Sequence, residues 1–378
     1  MRTSDLTPAV LKELRRPRPF PAISLLMPTH RARPDNEQDP IRLRNLLSEA
    51  ARRVKDDPAV DRENWLRLER QLDEDAVLRL FDAQRAEDGL LILLAPGEDP
   101  QAWQFVSPHD VPERIEVTTT FLTRNLVAAH LYARPYWVLV LDQEESRLYL
   151  AHAGSLTEAD GHGFPAEPRV PSREDALPGP AYGADRTGYR AARIGQYVSD
   201  VEERFARVMT ERNLPVILVG SPELTTVFRK ISRHAGAAVG ELELTGADKH
   251  AVPQLEKRLE PVFRKIREDR AEQARRELDA ARGRKAYVAG LAEVWNTVLD
   301  HRAALVLVEE GLRAAGRPGD NHQLQVVDVP EGEPAPEGVE TDIVDSLVEE
   351  ALDADTEVRF VPDGTLPDGI GIAGTLRY

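Results

Sequence analysis

The stretch "YWVLVLDQEESRLYLAHAG", from Tyr136 to Gly154, has two apolar runs on either side of a polar turn, Asp142–Ser146. Two such runs around a short polar turn predict a β-hairpin. Downstream, "LPVILVGSPELTTVF" predicts a strand, a turn and a helix start, with Ser221 able to cap that helix and Pro222 at its first position. An amphipathic helix is predicted between them, with these apolar residues on one face: Val198, Val201, Phe205 and Val208. The pattern predicts an α/β domain over residues 134–260.

A long segment separates the predicted hairpin from the amphipathic helix. Residues 153–186 contain four Pro before Gly179 and show no hydrophobic periodicity. A loop of that length within a compact domain is usually functional or disordered. Its last part, "GPAYGADRTGYRAARIGQYV" (Gly179–Val198), begins as a loop and ends as a helix. The segment is therefore a candidate functional loop.

The residues on either side predict two further domains that mix strands and helices. Residues 1–133 contain the apolar runs "AISLLMPTH" and "GLLILLAP", the strand-like "QAWQFVSP" and "ERIEVTTTF", and helical patterns near Asp39–Val54 and Arg62–Gln84. Residues 261–378 begin within a long charged helix, near Pro253–Gly283. They continue with "NTVLDHRAALVLVEEGL", a helix in "TDIVDSLVEEALDAD", and the strands of "EVRFVP" and "DGIGIAGTLRY". The fold class expected is α/β with three domains.

Composition limits the classes of function. The 378 residues include no cysteine, so disulfides and thiolate metal sites are excluded. The sequence has neither a signal-peptide pattern nor an apolar run near the roughly 18 residues of a membrane span, so a cytoplasmic protein without a membrane partner is expected. The net charge of −16 argues against an ordinary nucleic-acid binder, yet Leu255–Lys285 carries eleven Lys or Arg against seven Asp or Glu.

The end of the chain resembles a known family. A helix, the strand "VRFVP" and then "GIGIAGTLRY" resemble the C-terminal domain of the archaeo-eukaryotic peptide release factors and Pelota. The Tyr136–Gly154 stretch, "YVSDVEERFARVM" and "LPVILVGSPELTTVF" resemble that family's middle domain, and "AISLLMPTH" is similar to a strand of its N-terminal domain. The closest resemblance is to the bacterial homologues of these factors.

This resemblance implies a fold and a set of partners. The middle domain would be ribonuclease-H-like, and the last domain would be an α/β domain like kink-turn-binding ribosomal proteins. The implied partner is the ribosome, through rRNA or tRNA, and a translational GTPase is compatible with the resemblance. Neither a cofactor nor a metal site is predicted, since the nine His show no HExxH spacing and no phosphate-cradling GxxxxGK[ST] motif occurs.

The sequence departs from true release factors at the loop that carries their Gly-Gly-Gln motif. The expected position falls at the loop tip, Gly179, Pro180, Tyr182 and Gly183, where no glutamine is present. The Gly195-Gln196 pair follows Ile194, which resists positive φ, and it falls within the predicted helix. Gln196 is therefore expected on an exposed helix face, and no catalytic residue is predicted.

Two groups of arginines are candidates for RNA binding. Arg186, Arg190 and Arg193 follow the loop at i, i+4 and i+7 spacing, which places them on one helical face. The second group, around "THRARP", comprises Arg31, Arg33 and Arg42. A solvated basic surface is the alternative for both groups.

The function expected is a ribosome-associated, non-hydrolytic release-factor-like protein that acts in rescue, hibernation or stress protection. One alternative is a metal-dependent nuclease of ribonuclease-H-like fold, with Asp142 at the end of the first strand and further carboxylates nearby: Glu144, Glu145, Asp200 and Glu203. The other alternative is a stress adaptor without an RNA target.

Overall fold

A computed structural model describes these residues: 6–31, 34–72, 86–97, 101–107, 111–132, 134–152, 154–167, 186–246, 251–319, 322–329, 336 and 338–378. The chain forms two compact units. One comprises residues 1–133 together with 271–378, and the other comprises residues 134–270. None of the helices in the described ranges is long and apolar enough to cross a membrane.

The N-terminal sheet is antiparallel, with strand order β3-β2-β1-β4. Its strands are β1 (Ala22–Pro28), β2 (Gly89–Ala95), β3 (Gln101–Ser107) and β4 (Arg114–Thr118). Its helices are α1 (Pro8–Leu14), α2 (Asp39–Asp56), α3 (Arg62–Gln71) and α4 (Arg124–Tyr132). Alternate residues of β1 pack in two separate cores, one shared with α2 and α3 and one shared with α1. Burial on both faces explains why this strand is a continuous apolar run.

The middle sheet has the strand order β7-β6-β5-β8-β9, antiparallel from β7 to β5 and parallel from β5 to β9. The strands are β5 (Tyr136–Leu141), β6 (Arg147–His152), β7 (Ser155–Glu158), β8 (Val216–Gly220) and β9 (Ala238–Glu243). The helices are α5 (Arg186–Glu211), α6 (Pro222–Ile231) and α7 (Val252–Gly283), which continues into the other unit.

The two faces of the middle sheet are covered by different helices. One face of β5 packs against Val198, Phe205 and Phe228 of α5 and α6, whereas the other packs against the first half of α7. Gly240 allows the close approach of α7, because a Cβ atom there would lie 2.7 Å from a methyl group of Val262.

The C-terminal sheet has the strand order β10-β15-β11-β14, and a separate hairpin pairs β12 with β13. The strands are β10 (Tyr287–Ala289), β11 (Ala303–Glu309), β12 (Ala315–Pro318), β13 (Leu324–Val327), β14 (Glu357–Val361) and β15 (Ile372–Leu376). Helices α8 (Leu291–Leu299) and α9 (Ile343–Asp353) pack on one face, and the second half of α7 packs on the other.

Three carboxylates of the C-terminal domain contact residues of β4 and of the start of α4. Asp345 accepts hydrogen bonds from the backbone N–H groups of Thr123 (3.0 Å) and Arg124 (2.7 Å). Glu349 accepts one from the Thr123 hydroxyl at 2.6 Å, and Asp342 forms ion pairs with Arg114 (2.6 Å) and Arg124 (3.3 Å). These hydrogen bonds and ion pairs therefore connect the first and last domains within their common unit.

Burial makes these polar contacts sensitive to pH. Burial, followed by the neighbouring Asp342, raises the pKa of Asp345 to about 6. Burial, followed by the neighbouring Asp345, raises the pKa of Glu349 to about 7. The two carboxylates therefore titrate nearer to neutrality than exposed carboxylates do.

The predicted α/β class is confirmed, and the three larger sheets match the expected three-domain layout. The hairpin at Tyr136–Gly154 and the helix that precedes β8 are confirmed as β5, β6 and α5. The division of the chain after residues 133 and 260 remains a proposal. The predicted helix Arg62–Gln84 begins as expected and ends at Gln71, and residues 73–85 lie outside the described ranges.

Two local expectations were wrong. The segment after residue 153 was expected to lack regular structure, but β7 pairs with β6 at its start, because a four-residue strand is too short to produce a periodicity. Ser221 does precede α6, with Pro222 in the first turn, but its side chain forms no capping hydrogen bond. The Ser221 carbonyl instead accepts the N–H groups of Leu224 and Thr225.

Candidate functional site

The base of the candidate functional loop is fixed to the middle sheet. Ser146, in the turn between β5 and β6, exchanges two backbone hydrogen bonds with Ala166, of 2.8 and 2.7 Å. The Tyr197 hydroxyl lies 2.7 Å from the Ser146 hydroxyl and donates to the Ala166 carbonyl at 2.9 Å. Ser146, Ala166 and Tyr197, which we call the loop-base cluster, tie the departing chain to α5.

Burial supports the loop-base cluster. Ser146 is fully buried, and Ala166 belongs to the core shared by β5 and α5. Burial raises the pKa of Tyr197, although its hydrogen bond with Ser146 acts in the opposite direction. The phenol is therefore neutral at physiological pH and can donate its proton to the Ala166 carbonyl.

A tight turn leads into the loop-base cluster. Gly161 and Gly163 both have positive φ, a conformation that glycine adopts without steric cost. The Gly161 carbonyl accepts the N–H of Phe164 at 2.9 Å, and Phe164 is buried in the same core. Arg204 of α5 donates a hydrogen bond to the Gly163 carbonyl. The chain is thus anchored on both sides of residue 164 before residues 168–185, which lie outside the described ranges.

The helix after the loop carries the predicted arginines. Arg186, Arg190 and Arg193 all lie in α5, within its first eight residues, and the Arg193 side chain is exposed. Arg193 forms no ion pair within the described part of the chain. The predicted tip residues lie outside the described ranges: Gly179, Pro180, Tyr182 and Gly183.

The Gly-Gln pair lies where the sequence predicted it, within α5. Gln196 is exposed, and its amide donates a hydrogen bond to Asp200 at 3.2 Å, four residues along the helix. No atom lies within 4 Å of the position that a Cβ atom would take at Gly195. Neither residue has the positive-φ loop geometry that a Gly-Gly-Gln element would use.

Two arginines of the second predicted group lie close to carboxylates. Arg31 forms a bidentate ion pair with Asp88, with both N–O distances at 2.7 Å. Arg42 lies 3.9 Å from Asp39 and 3.7 Å from Glu113, and Arg33 lies outside the described ranges. A phosphate would therefore compete with carboxylates at Arg31 and Arg42.

The carboxylates considered for the nuclease alternative form separate hydrogen bonds and ion pairs. Asp142 is buried at the end of β5, where it accepts the N–H of Glu144 at 3.3 Å. Glu145 pairs with Arg147 at 2.8 Å, and Asp200 accepts the Gln196 amide. No group of three His, Asp or Glu that could hold a metal ion was found among the described residues.

The sequence did not indicate the loop-base cluster. Ser146 and Tyr197 are separated by 51 positions, and neither belongs to a motif. The signal that was present is indirect: Tyr197 precedes Val198 on the apolar side of α5, where a buried tyrosine usually finds a hydrogen-bond partner.

The middle domain has the strand order β7-β6-β5-β8-β9 and a long segment ahead of α5, and α/β regions precede and follow it in the sequence. Residues 135–302 match the family model described as bacterial archaeo-eukaryotic release factor family 3. The match confirms the resemblance of the chain to the bacterial homologues of the release factor and Pelota family. Among curated proteins, no sequence matches the chain.

Several solved structures are similar to the chain at low identity. An archaeal translation termination factor is 16% identical, with 100% of this chain and 99% of that chain covered and a TM-score of 0.26. Archaeoglobus fulgidus Pelota is 14% identical, with coverages of 76% and 79% and a TM-score of 0.37. S. cerevisiae Dom34 is 10% identical, with coverages of 79% and 81% and a TM-score of 0.39. At these values the likeness specifies neither an activity nor a partner.

Proposed function

We propose that the chain is a ribosome-associated, release-factor-like protein that binds through its middle-domain loop and α5 without hydrolysing peptidyl-tRNA. The observation that carries this proposal is the family match over residues 135–302, which includes the anchored loop and the helix after it. The proposed setting is the cytoplasm, in ribosome rescue, hibernation or stress protection. A translational GTPase is the proposed delivery partner.

The geometry supports binding more than catalysis. Hydrolysis of an ester at the tip would require hydrogen-bonding groups held in advance around the attacking water. Gln196 lies on an exposed helical face and is hydrogen-bonded to Asp200, and the loop has no glutamine of its own. Arg193 is exposed beside the loop, on the helix that also carries Arg186 and Arg190, which suits contact with phosphate groups.

Co-sedimentation with ribosomes over a range of salt concentrations tests the proposal. The variant R186A/R190A/R193A should lose on the order of tenfold in affinity, and the slope of log affinity against log salt should fall by about 2, because phosphate contacts are lost. The matched control R52A/R207A/R229A removes three arginines that pair with Glu49, Glu203 and Glu241, and it should bind as the wild type does.

Two results would contradict the proposal. The first is absence of the wild-type protein from ribosomal fractions at low salt, under both growth and starvation, which would favour an adaptor without an RNA target. The second is magnesium-dependent cleavage of RNA that is abolished by Asp142→Asn, which would favour the nuclease.

A further inference from the structure

Three residues of α5 contact the segment that leads into the candidate loop, and they lie at regular spacing. Tyr197, Arg204 and Glu211 follow one another at intervals of seven positions. Seven residues are close to two turns of an α-helix, so these side chains lie along one side of α5, about 10 Å apart. That side borders the apolar face of α5, which places Val201 and Val208 in the core.

Residues 161–166, which we call the anchored segment, run along this side of α5 in the opposite direction to the helix. The three contacts, in order along α5, are those of Tyr197 with Ala166 (2.9 Å), Arg204 with Gly163, and Glu211 with His162 (3.3 Å). As the position on α5 increases, the position on the segment decreases. One helix side therefore fixes the anchored segment at three successive points.

The middle contact uses both the guanidinium and the aliphatic stem of Arg204. The guanidinium donates a hydrogen bond to the Gly163 carbonyl. The stem packs over Gly163, since a Cβ atom at that position would lie 3.2 Å from Cδ and 3.3 Å from Cγ of Arg204. Gly163 also has a φ of 87°, which glycine adopts without steric cost. A glycine at 163 therefore permits both parts of the contact.

Arg204 holds the side of the turn that faces solvent. Phe164 is buried in the core, and its N–H donates to the Gly161 carbonyl at 2.9 Å, whereas Gly163 is exposed. The neighbouring pair of His162 and Glu211 is more exposed, and ion pairs of that kind contribute little to stability. Arg204 is thus the main side-chain contact on the outer side of the turn.

The orientation of Arg204 distinguishes it from an RNA-binding arginine. Arg193 is exposed, whereas Arg204 is half-buried, with its stem against the anchored segment and its guanidinium on a backbone carbonyl. A phosphate contact would require the guanidinium to leave that carbonyl. The geometry therefore favours an effect of Arg204 on the loop rather than on a ligand.

We propose that Arg204 is a positioning residue for ribosome binding. It holds the anchored segment against α5, so that the chain enters the loop in one fixed direction, and it does not touch the ribosome itself. Ordering the backbone of even one residue before binding is worth on the order of tenfold in affinity, because that entropy is not lost on association. The inference rests on the proposed function and assigns a further residue to the same site.

Co-sedimentation of the full chain with ribosomes at several salt concentrations tests this role. Arg204→Ala should bind about tenfold more weakly, and the slope of log affinity against log salt should stay at the wild-type value, because no phosphate contact is lost. Arg207→Ala is the matched control. It removes an arginine of the same helix that pairs with Glu203 at 2.7 Å, and its affinity should stay within about twofold of wild type.

Gly163→Ala disturbs the same contact from the loop side and changes no charge. It should lower the affinity with the salt slope unchanged, and the variant G163A/R204A should lose little more than the weaker-binding single variant, because both act on one contact. In the free protein, native-state hydrogen exchange of the Phe164 amide should be faster in both single variants. Thermal unfolding checks that each variant is folded.

Three results would overturn the proposed role of Arg204. They are wild-type affinity in Arg204→Ala, an unchanged exchange rate of the Phe164 amide in that variant, or a salt slope lowered by about 1, which would make Arg204 a phosphate contact. Failure of the wild type to bind ribosomes would contradict the proposed function as well. The exchange measurement needs no ribosome, so it separates a wrong contact from a wrong function.

Discussion

Tyr197 connects the loop base to α5 through a single hydroxyl group. Tyr197→Phe removes the contacts to the Ser146 hydroxyl and the Ala166 carbonyl, so we expect a loss of about 1–2 kcal/mol in local stability. Native-state hydrogen exchange should show faster exchange of the Ser146 and Ala166 amides, which pair with each other. Tyr378→Phe is the control, because that ring is 85% exposed. Unchanged exchange in Tyr197→Phe would show that the backbone bridge alone fixes the loop.

Glu349 should make stability depend on pH. Its pKa is raised by burial to about 7 in the folded protein, above the value of about 4.3 for an unfolded chain. The folded state therefore binds more protons between these values, so this residue lowers stability as pH rises from about 4.5 to 7.

Glu349→Gln removes this charge. We expect the variant to gain stability relative to wild type across that pH range, by on the order of 1–2 kcal/mol, and to keep a constant difference above pH 7. Denaturant unfolding at several pH values measures this difference in the free energy of unfolding. Glu350→Gln, at the exposed neighbouring position, is the control and should show no such pH dependence. A difference of the opposite sign would mean that the Arg15 ion pair, at 3.5 Å, outweighs burial.

At the scale of elements, α5 connects the loop to the core. Gly195 lies in its interior, and a methyl group there would meet no atom within 4 Å. Gly195→Ala should therefore stabilise the protein by about 0.5–1 kcal/mol, since alanine loses less backbone entropy in a helix. Thermal unfolding measures this change. Gly240→Ala is the contrasting variant, because its Cβ atom would lie 2.7 Å from Val262 and should destabilise the protein. Destabilisation by Gly195→Ala would imply a non-helical role for the Gly-Gln pair.

Elements that are buried on both faces were the ones that the sequence predicted well. β1, β5, β8 and β11 are continuous apolar runs because their alternate residues enter two different cores. The short hairpin of β12 and β13 and the strand β7 were not predicted, since a strand of four residues is too short to carry a periodic signal.

The candidate site was predictable only in part. The position of the loop and the place of Gln196 on α5 follow from the local pattern of apolar and polar residues. The contacts of Ser146, Asp345 and Glu349 do not, because their partners are distant in sequence: Tyr197, Thr123 and Arg124.

At the scale of the whole molecule, the negative net charge and the local cations act together. A chain with 65 acidic and 49 basic residues repels polyanions in general, so contact with RNA requires places where cations lack partners. Arg193 on α5 is exposed and forms no ion pair within the described residues, as the proposed contact with RNA requires.

The most direct test of the central claim is a single-turnover assay of peptidyl-tRNA hydrolysis on stalled ribosomes to which the protein is bound at saturation. The proposed function predicts full binding and no release of peptide above the uncatalysed background, for the wild type and for Gln196→Ala alike. Release by the wild type that is lost in Gln196→Ala would contradict the account and would show that the Gly195-Gln196 pair is catalytic.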